Sequence, residues 1–185
     1  MYSPTPADYR RAMGRFLTGV SVIGTVHHGI PYGMTVNSLT SVSLDPLMLL
    51  FCASPRSRTL SLVLAENRFA VSVLASDQEN VARRFSNSAA EERFADLGWR
   101  KSPGEQPLLN QAVAWFDCVV TDVLPGGDHR IVLATVTGVW EAREERRPLI
   151  FHRGNFVSLR PADAGQTHTS PSPPPELCEA TDSIG

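Results

Sequence analysis

With 185 residues, 42% of them hydrophobic, and a formal charge of −2, the chain has material for one ordinary core and no need of disulfide staples. No run of about eighteen apolar residues occurs, so no membrane association is expected, and so mild a charge balance leaves no footprint for nucleic acid. Cys52, Cys118 and Cys178 lie far apart without a Cys-x-x-Cys pair or a metal-like spacing to histidine, which reads as free thiols in the cytoplasm. The first residues lack a basic region followed by an apolar core, so no secretory leader is expected.

In chain order, a helix is expected from about Pro6 to Leu17. Thr5 caps it, Pro6 suits its first position, Asp8 favours its positive end, and Tyr9, Met13, Phe16 and Leu17 form one apolar face. Extended runs rich in branched residues follow at Val20–Val26, Met34–Val42, Leu47–Phe51 and Phe69–Leu74. A capping box, Ser76-x-x-Glu79, opens a helix that reaches Phe85. Two long strands, Ala112–Leu124 and Arg130–Ala142, are joined by Pro125-Gly126-Gly127-Asp128-His129, and a last short pair surrounds Arg153-Gly154-Asn155. Crossover helices are missing between most strands, so the pattern predicts a closed or nearly closed antiparallel barrel rather than a parallel sheet. Neither a Rossmann nor a P-loop glycine signature occurs.

The composition changes at Pro161. Residues 161–185 are rich in Pro, Ser and Thr, carry four acids and neither Lys nor Arg, and are expected to form a disordered acidic tail after a single domain at 1–160.

Three segments carry candidate chemistry. Met34 to Ser43 has strand character yet is crowded with small neutral donors and acceptors. It is either a hydroxyl-rich edge strand facing water or the wall of a flat slot for a heteroaromatic ring. Ser54-Pro55-Arg56-Ser57-Arg58-Thr59 precedes the apolar Leu60, Leu62 and Leu64. It is either an ordinary capped helix start with solvated arginines or a phosphate site. Gly126-Gly127-Asp128-His129 is either an exposed turn or a tight bend that presents one imidazole.

Taken together, the chain resembles the short-chain flavin reductase family, the reductase partners of two-component flavin-dependent monooxygenases. The matching blocks run in order: Arg11-Ala12-Met13-Gly14-Arg15-Phe16-Leu17-Thr18-Gly19-Val20, Gly33-Met34-Thr35-Val36-Asn37-Ser38, Ser41-Val42-Ser43-Leu44-Asp45-Pro46, Phe69 to Leu74, Ala82-Arg83-Arg84-Phe85, Pro107-Leu108-Leu109 and Gly127-Asp128-His129. They span about residues 8–160. The resemblance implies a mainly β split barrel with short helices, usually a homodimer with flavin near the interface.

It implies that Thr35, Val36, Asn37 and Ser38 contact the isoalloxazine of FMN or FAD, with Phe51, Cys52 and Ala53 lining the same slot. Ser57, Arg58 and Thr59 would hold the flavin phosphate, with Arg84 and Phe85 nearby. His129, after Gly127, would lie at the nicotinamide of NADH or NADPH. Arg153 and Phe156 match a C-terminal Arg-Gly-x-aromatic pattern and would also meet the nucleotide. The implied activity is NAD(P)H-dependent flavin reduction, with the reduced flavin passed to a partner monooxygenase. A flavoprotein with permanently bound FMN, serving as an oxidase or electron carrier, and a non-catalytic flavin-binding module are the competing readings. Three positions depart from the family pattern: Leu47 stands where a second proline is common, Ser72 where Asn is frequent, and Arg130 where Thr usually follows Gly-Asp-His.

Overall fold

The computed structural model describes residues 3–87 and 92–157, so the expected tail at 161–185 lies outside the described residues. Helix α1 (Pro6–Met13) begins as its residues dictate. Thr5 Oγ1 accepts from the Asp8 N–H at 3.2 Å, and the Asp8 carboxylate accepts from the Thr5 N–H at 3.1 Å. The helix ends four residues before the expected Leu17. Gly14 offers its carbonyl to the Arg153 N–H at 2.9 Å, and Thr18–Gly19 leave as strand β1 to pair with Phe151 and Ile150. Pairing with a segment more than a hundred residues away outweighs the local apolar spacing.

Strands β2 (Ser21–His27) and β3 (Ile30–Val36) form a hairpin, followed by β4 (Thr40–Leu44), β5 (Leu47–Ala53), helix α2 (Arg58–Glu66), β6 (Arg68–Val73) and helix α3 (Glu79–Asn87). Strands β7 (Trp99–Lys101) and β8 (Pro107–Leu109) form a separate small ribbon, unforeseen because neither Trp-Arg-Lys nor Pro-Leu-Leu holds a β-branched residue. The long β9 (Ala114–Gly126) and β10 (His129–Glu141) follow, then the short pair β11 (Ile150–His152) and β12 (Asn155–Val157). Seven strands make one sheet in the order β3-β2-β6-β9-β10-β5-β4, and every pairing within it is antiparallel. The two end strands, β3 and β4, do not pair with each other, so the barrel is split, and Asn37-Ser38-Leu39 crosses the gap.

That crossing corrects the single strand expected at Met34–Val42. The chain leaves the ladder after Val36 because Ser38 turns its side chain onto the backbone of β5. The Ser76 capping box is also absent. Gln78 O accepts from the Ala82 N–H at 3.0 Å, so α3 starts at Glu79, while the Ser76 N–H goes to Arg147 O at 2.8 Å.

The barrel interior is built from alternate residues of each strand. Phe51 and Phe69 are fully buried and meet edge to face at 5.2 Å, and α2 closes this cluster with Leu60 and Val63. Burying each such side chain contributes about 1.5–3 kcal/mol. A second cluster joins Val22 and Leu74 to Ala82 and Phe85 of α3 and to Phe94. Gly33 lets β3 pass beneath it, since a Cβ there would stand 2.6 Å from Phe85 Cε1. Among the described residues no helix is long and apolar enough to cross a membrane.

Candidate functional site

A cavity of about 580 Å³ opens where the barrel is split. One wall is the end of β3 and the crossing: Thr35, Val36, Asn37 and Ser38. The facing wall is the end of β5, Cys52 and Ala53, and the floor is the first turn of α2 with Arg56, Ser57, Arg58 and Thr59. Phe85 and Ser86 of α3, Arg93, and His129 at the start of β10 complete it. Segments more than seventy residues apart in sequence thus meet because β5 and β10 are neighbours, with Arg130 opposite Ala53.

Local chemistry explains most of these positions. Ser38 Oγ donates to Cys52 O at 3.1 Å and accepts from the Cys52 N–H at 2.9 Å, so a side chain stands in for a missing strand partner. The Thr35 hydroxyl donates to Ala82 O at 2.7 Å, anchoring the end of β3 to α3. Ser57 caps α2, its Oγ accepting from the Leu60 N–H at 3.2 Å. The Arg58 guanidinium lies over the Tyr32 ring at 5.4 Å. Arg56, Arg58 and Arg93 put three cations around the positive end of α2, and no carboxylate lines the cavity among the described residues. Such an end is built for an anion.

Thr59 departs from its expected role. It is buried, and its hydroxyl donates to Gly33 O at 3.0 Å, so only its first-turn N–H, which has no acceptor within the helix, remains to serve the cavity. Arg93 donates to the same carbonyl at 2.7 Å. Sequence reading missed Arg93 because it sits in an irregular segment without periodicity; an isolated arginine there gives no signal.

Other expected residues lie elsewhere. Phe51 does not line the slot, because alternation along β5 turns it into the core. Arg84 is absent from the wall, since it is spent on Glu92 O at 2.7 Å and Ala95 O at 2.5 Å, holding the segment that carries Arg93. Phe156 stacks on Phe151 with ring centres 5.5 Å apart, lies under the Arg83 guanidinium at 5.0 Å, and shares with Thr35, Val36 and Asn37 a separate cavity of about 180 Å³. Arg153 sits in the turn between β11 and β12, against α1 rather than beside Phe156.

His129 is half exposed at the rim. Gly127, with φ +70°, opens the two-residue turn before it, and Gly126 pairs with His129 across that turn. The His129 Nδ1 lies 2.8 Å from Asp128 Oδ1. The hydrogen bond and charge of His129, with a smaller contribution from Arg10, hold the Asp128 carboxyl below its usual range. An ionised carboxylate only accepts, so Nδ1 carries the proton and Nε2 is left as an acceptor when the ring is neutral. Burial, then the charge of Asp117, pushes the Cys118 thiol far up, which leaves it inert in the core. No group of His, Cys, Asp and Glu suited to a metal ion occurs among the described residues.

The model of the flavin reductase like domain matches residues 13–160. The chain is 36% identical over 164 residues to a flavin-dependent monooxygenase reductase subunit, HsaB, of Mycobacterium tuberculosis, covering 88% of this chain and 87% of that one. Nitrilotriacetate monooxygenase component B from Mycobacterium thermoresistibile superposes with a TM-score of 0.83 at 35% identity, over 96% of this chain and 95% of that chain. The NADH:FAD oxidoreductase SgcE6 of Streptomyces globisporus C-1027 gives a TM-score of 0.81 at 34% identity, over 87% of this chain and 98% of that chain.

Proposed function

The chain belongs to the family of flavin reductase like domains, and on that footing we propose that it is the reductase component of a two-component flavin-dependent monooxygenase, delivering reduced flavin to its partner. One observation carries this reading: a slot of small neutral groups, Asn37 and Ser38 facing Cys52 and Ala53, runs into an arginine-ringed helix start with no carboxylate among the described lining residues. A flat heteroaromatic ring with a phosphorylated tail needs both features side by side. In the reaction the nicotinamide C4–H bond breaks and the hydrogen passes with both electrons to flavin N5.

What the chain supplies is placement and charge. Val36, Asn37 and Ser38 edge the flavin ring opposite Cys52 and Ala53, without setting a formal charge against it. Arg56, Arg58, Arg93 and the Thr59 N–H receive the phosphate, while Ser57 holds that helix end in shape. His129, steadied by Asp128, offers Nε2 to the nicotinamide carboxamide, so the donor ring stacks at attack distance. Gly127 serves by making the bend, and Phe156 stands by the small cavity that it shares with Thr35, Val36 and Asn37.

Helix α1 buries none of its residues, and Tyr9, Phe16 and Leu44 are 65%, 66% and 83% exposed. A second copy covering these groups makes the protein a homodimer. Its free Cys52 and Cys118 suit the reducing cytoplasm, where NADH is supplied.

A steady-state assay crossing FMN, FAD and riboflavin with NADH and NADPH tests the reading. The purified protein should be colourless and oxidise NADH only when flavin is added. Equal, negligible rates for every pairing would overturn it, and a yellow protein that keeps its flavin through gel filtration would favour a fixed-flavin carrier.

A further inference from the structure

Residues 92–95 form a single turn, closed by the Ala95 N–H donating to Glu92 O at 3.1 Å. Its two central residues serve different places. Phe94 is buried, meeting Phe85 of α3 edge to face at 4.8 Å and Trp99 of β7 at 5.9 Å. Arg93 reaches the split-barrel cavity, where its guanidinium donates to Gly33 O at 2.7 Å. The Thr59 hydroxyl donates to that same carbonyl at 3.0 Å, so one backbone oxygen ties Arg93 to the first turn of α2.

Arg84 fastens this turn without lining the cavity. Its Nη2 donates to Glu92 O at 2.7 Å and to Ala95 O at 2.5 Å, the carbonyls of the first and last residues of the turn. Both bonds are charge-assisted, the stronger kind. Burial of Phe94 keeps the turn against the core, but burial is not directional and leaves the tilt of the backbone free. The two bonds to Arg84 remove that freedom. A long side chain such as Arg93 loses rotamer entropy when it binds an anion, and a fixed backbone beneath it lowers that cost. Arg83, next in the chain, turns instead to Glu79 and to the ring of Phe156.

We propose that Arg84 is a positioning residue for recognition of the flavin phosphate. By holding the 92–95 turn it presets Arg93 beside the start of α2, and so strengthens the preference for phosphorylated flavin over riboflavin. This rests on the reading of the cavity as a flavin site. Arg84 acts on the ligand only through Arg93.

The test measures the Kd of FMN and of riboflavin by quenching of flavin fluorescence, with no nucleotide present. Arg93→Gln should raise the Kd of FMN about tenfold, the loss of one charge-assisted hydrogen bond. Arg84→Gln should raise it about fivefold, while riboflavin moves by less than about twofold in either variant. In the double variant FMN should bind no worse than in Arg93→Gln alone, because a residue that works through another adds nothing once that other is gone. Arg84→Lys keeps a cation for the two carbonyls and should recover part of the loss. With NADH, Arg84→Gln should raise the KM for FMN and leave kcat near the wild-type value. Arg83→Gln removes the same charge from the same helix and should leave both flavins unmoved. An equal weakening of FMN and riboflavin in Arg84→Gln would make Arg84 a support of the whole slot and overturn the proposal. Losses that add in the double variant, or an Arg83→Gln protein that matches Arg84→Gln, would overturn it as well. A wild type that reduces no flavin with NADH would overturn the functional reading itself, whereas the other adverse results touch only Arg84.

Discussion

The Ser38 hydroxyl and the Cys52 backbone are joined by two hydrogen bonds, one donated to Cys52 O at 3.1 Å and one accepted from its N–H at 2.9 Å, across the split in the barrel. Between them these bonds do what a strand pair does elsewhere in the sheet, and they fix both walls of the slot. Ser38→Ala leaves the two backbone groups without their partner, at a cost of about 1–3 kcal/mol. The midpoint of urea unfolding should fall accordingly, and the KM for FMN should rise about fivefold or more as Asn37 loses its anchor. Ser38→Thr keeps the hydroxyl and should lose far less. A Ser38→Ala protein as stable as wild type would show that water replaces the side chain at no cost.

Arg58 and Thr59 are neighbours with different tasks, although sequence reading gave them the same one. Arg58→Ala should raise the KM for FMN at least about tenfold, the worth of a charge-assisted bond, while riboflavin, lacking the phosphate, should respond much less. Thr59→Val removes only a hydroxyl already given to Gly33 O. It should lower stability by about 1 kcal/mol or more and leave the preference for FMN over riboflavin in place. Steady-state kinetics with the two flavins, read beside thermal melts, separates these outcomes. A Thr59→Val protein of normal stability that had lost its preference for FMN would put the hydroxyl on the phosphate after all.

His129 stands at the rim with its proton placed by Asp128. In His129→Ala the KM for NADH should rise and kcat/KM fall about 10–100-fold, the size expected for a lost hydrogen bond and a misplaced donor ring. Flavin affinity should barely change, because the slot walls belong to β3 and β5. His129→Asn should recover part of the loss. Unchanged nucleotide kinetics in a folded His129→Ala protein would make this an exposed turn histidine with no part in the reaction.

Local rules in the sequence determined the antiparallel strands, the capped start of α1, the hydroxyl-rich end of β3, the Ser57 cap and the Gly127 bend. Each depends on alternation, capping or turn chemistry within a few residues, so each can be read from neighbours alone. Tertiary structure decided what no local window contains. The end of α1 was set by the pairing of Thr18 with Phe151, and the break in the strand expected at Met34–Val42 by Ser38 meeting Cys52. Phe51 went inward because the register of β5 against β10 fixed which of its faces is covered. Arg84 was withdrawn from the site and Arg93 brought into it by a carbonyl-lined segment whose path has no periodic signal. Backbone groups far apart in the chain must find partners as the barrel closes, and those long-range demands override side-chain preferences that are worth less than the bonds they would forfeit.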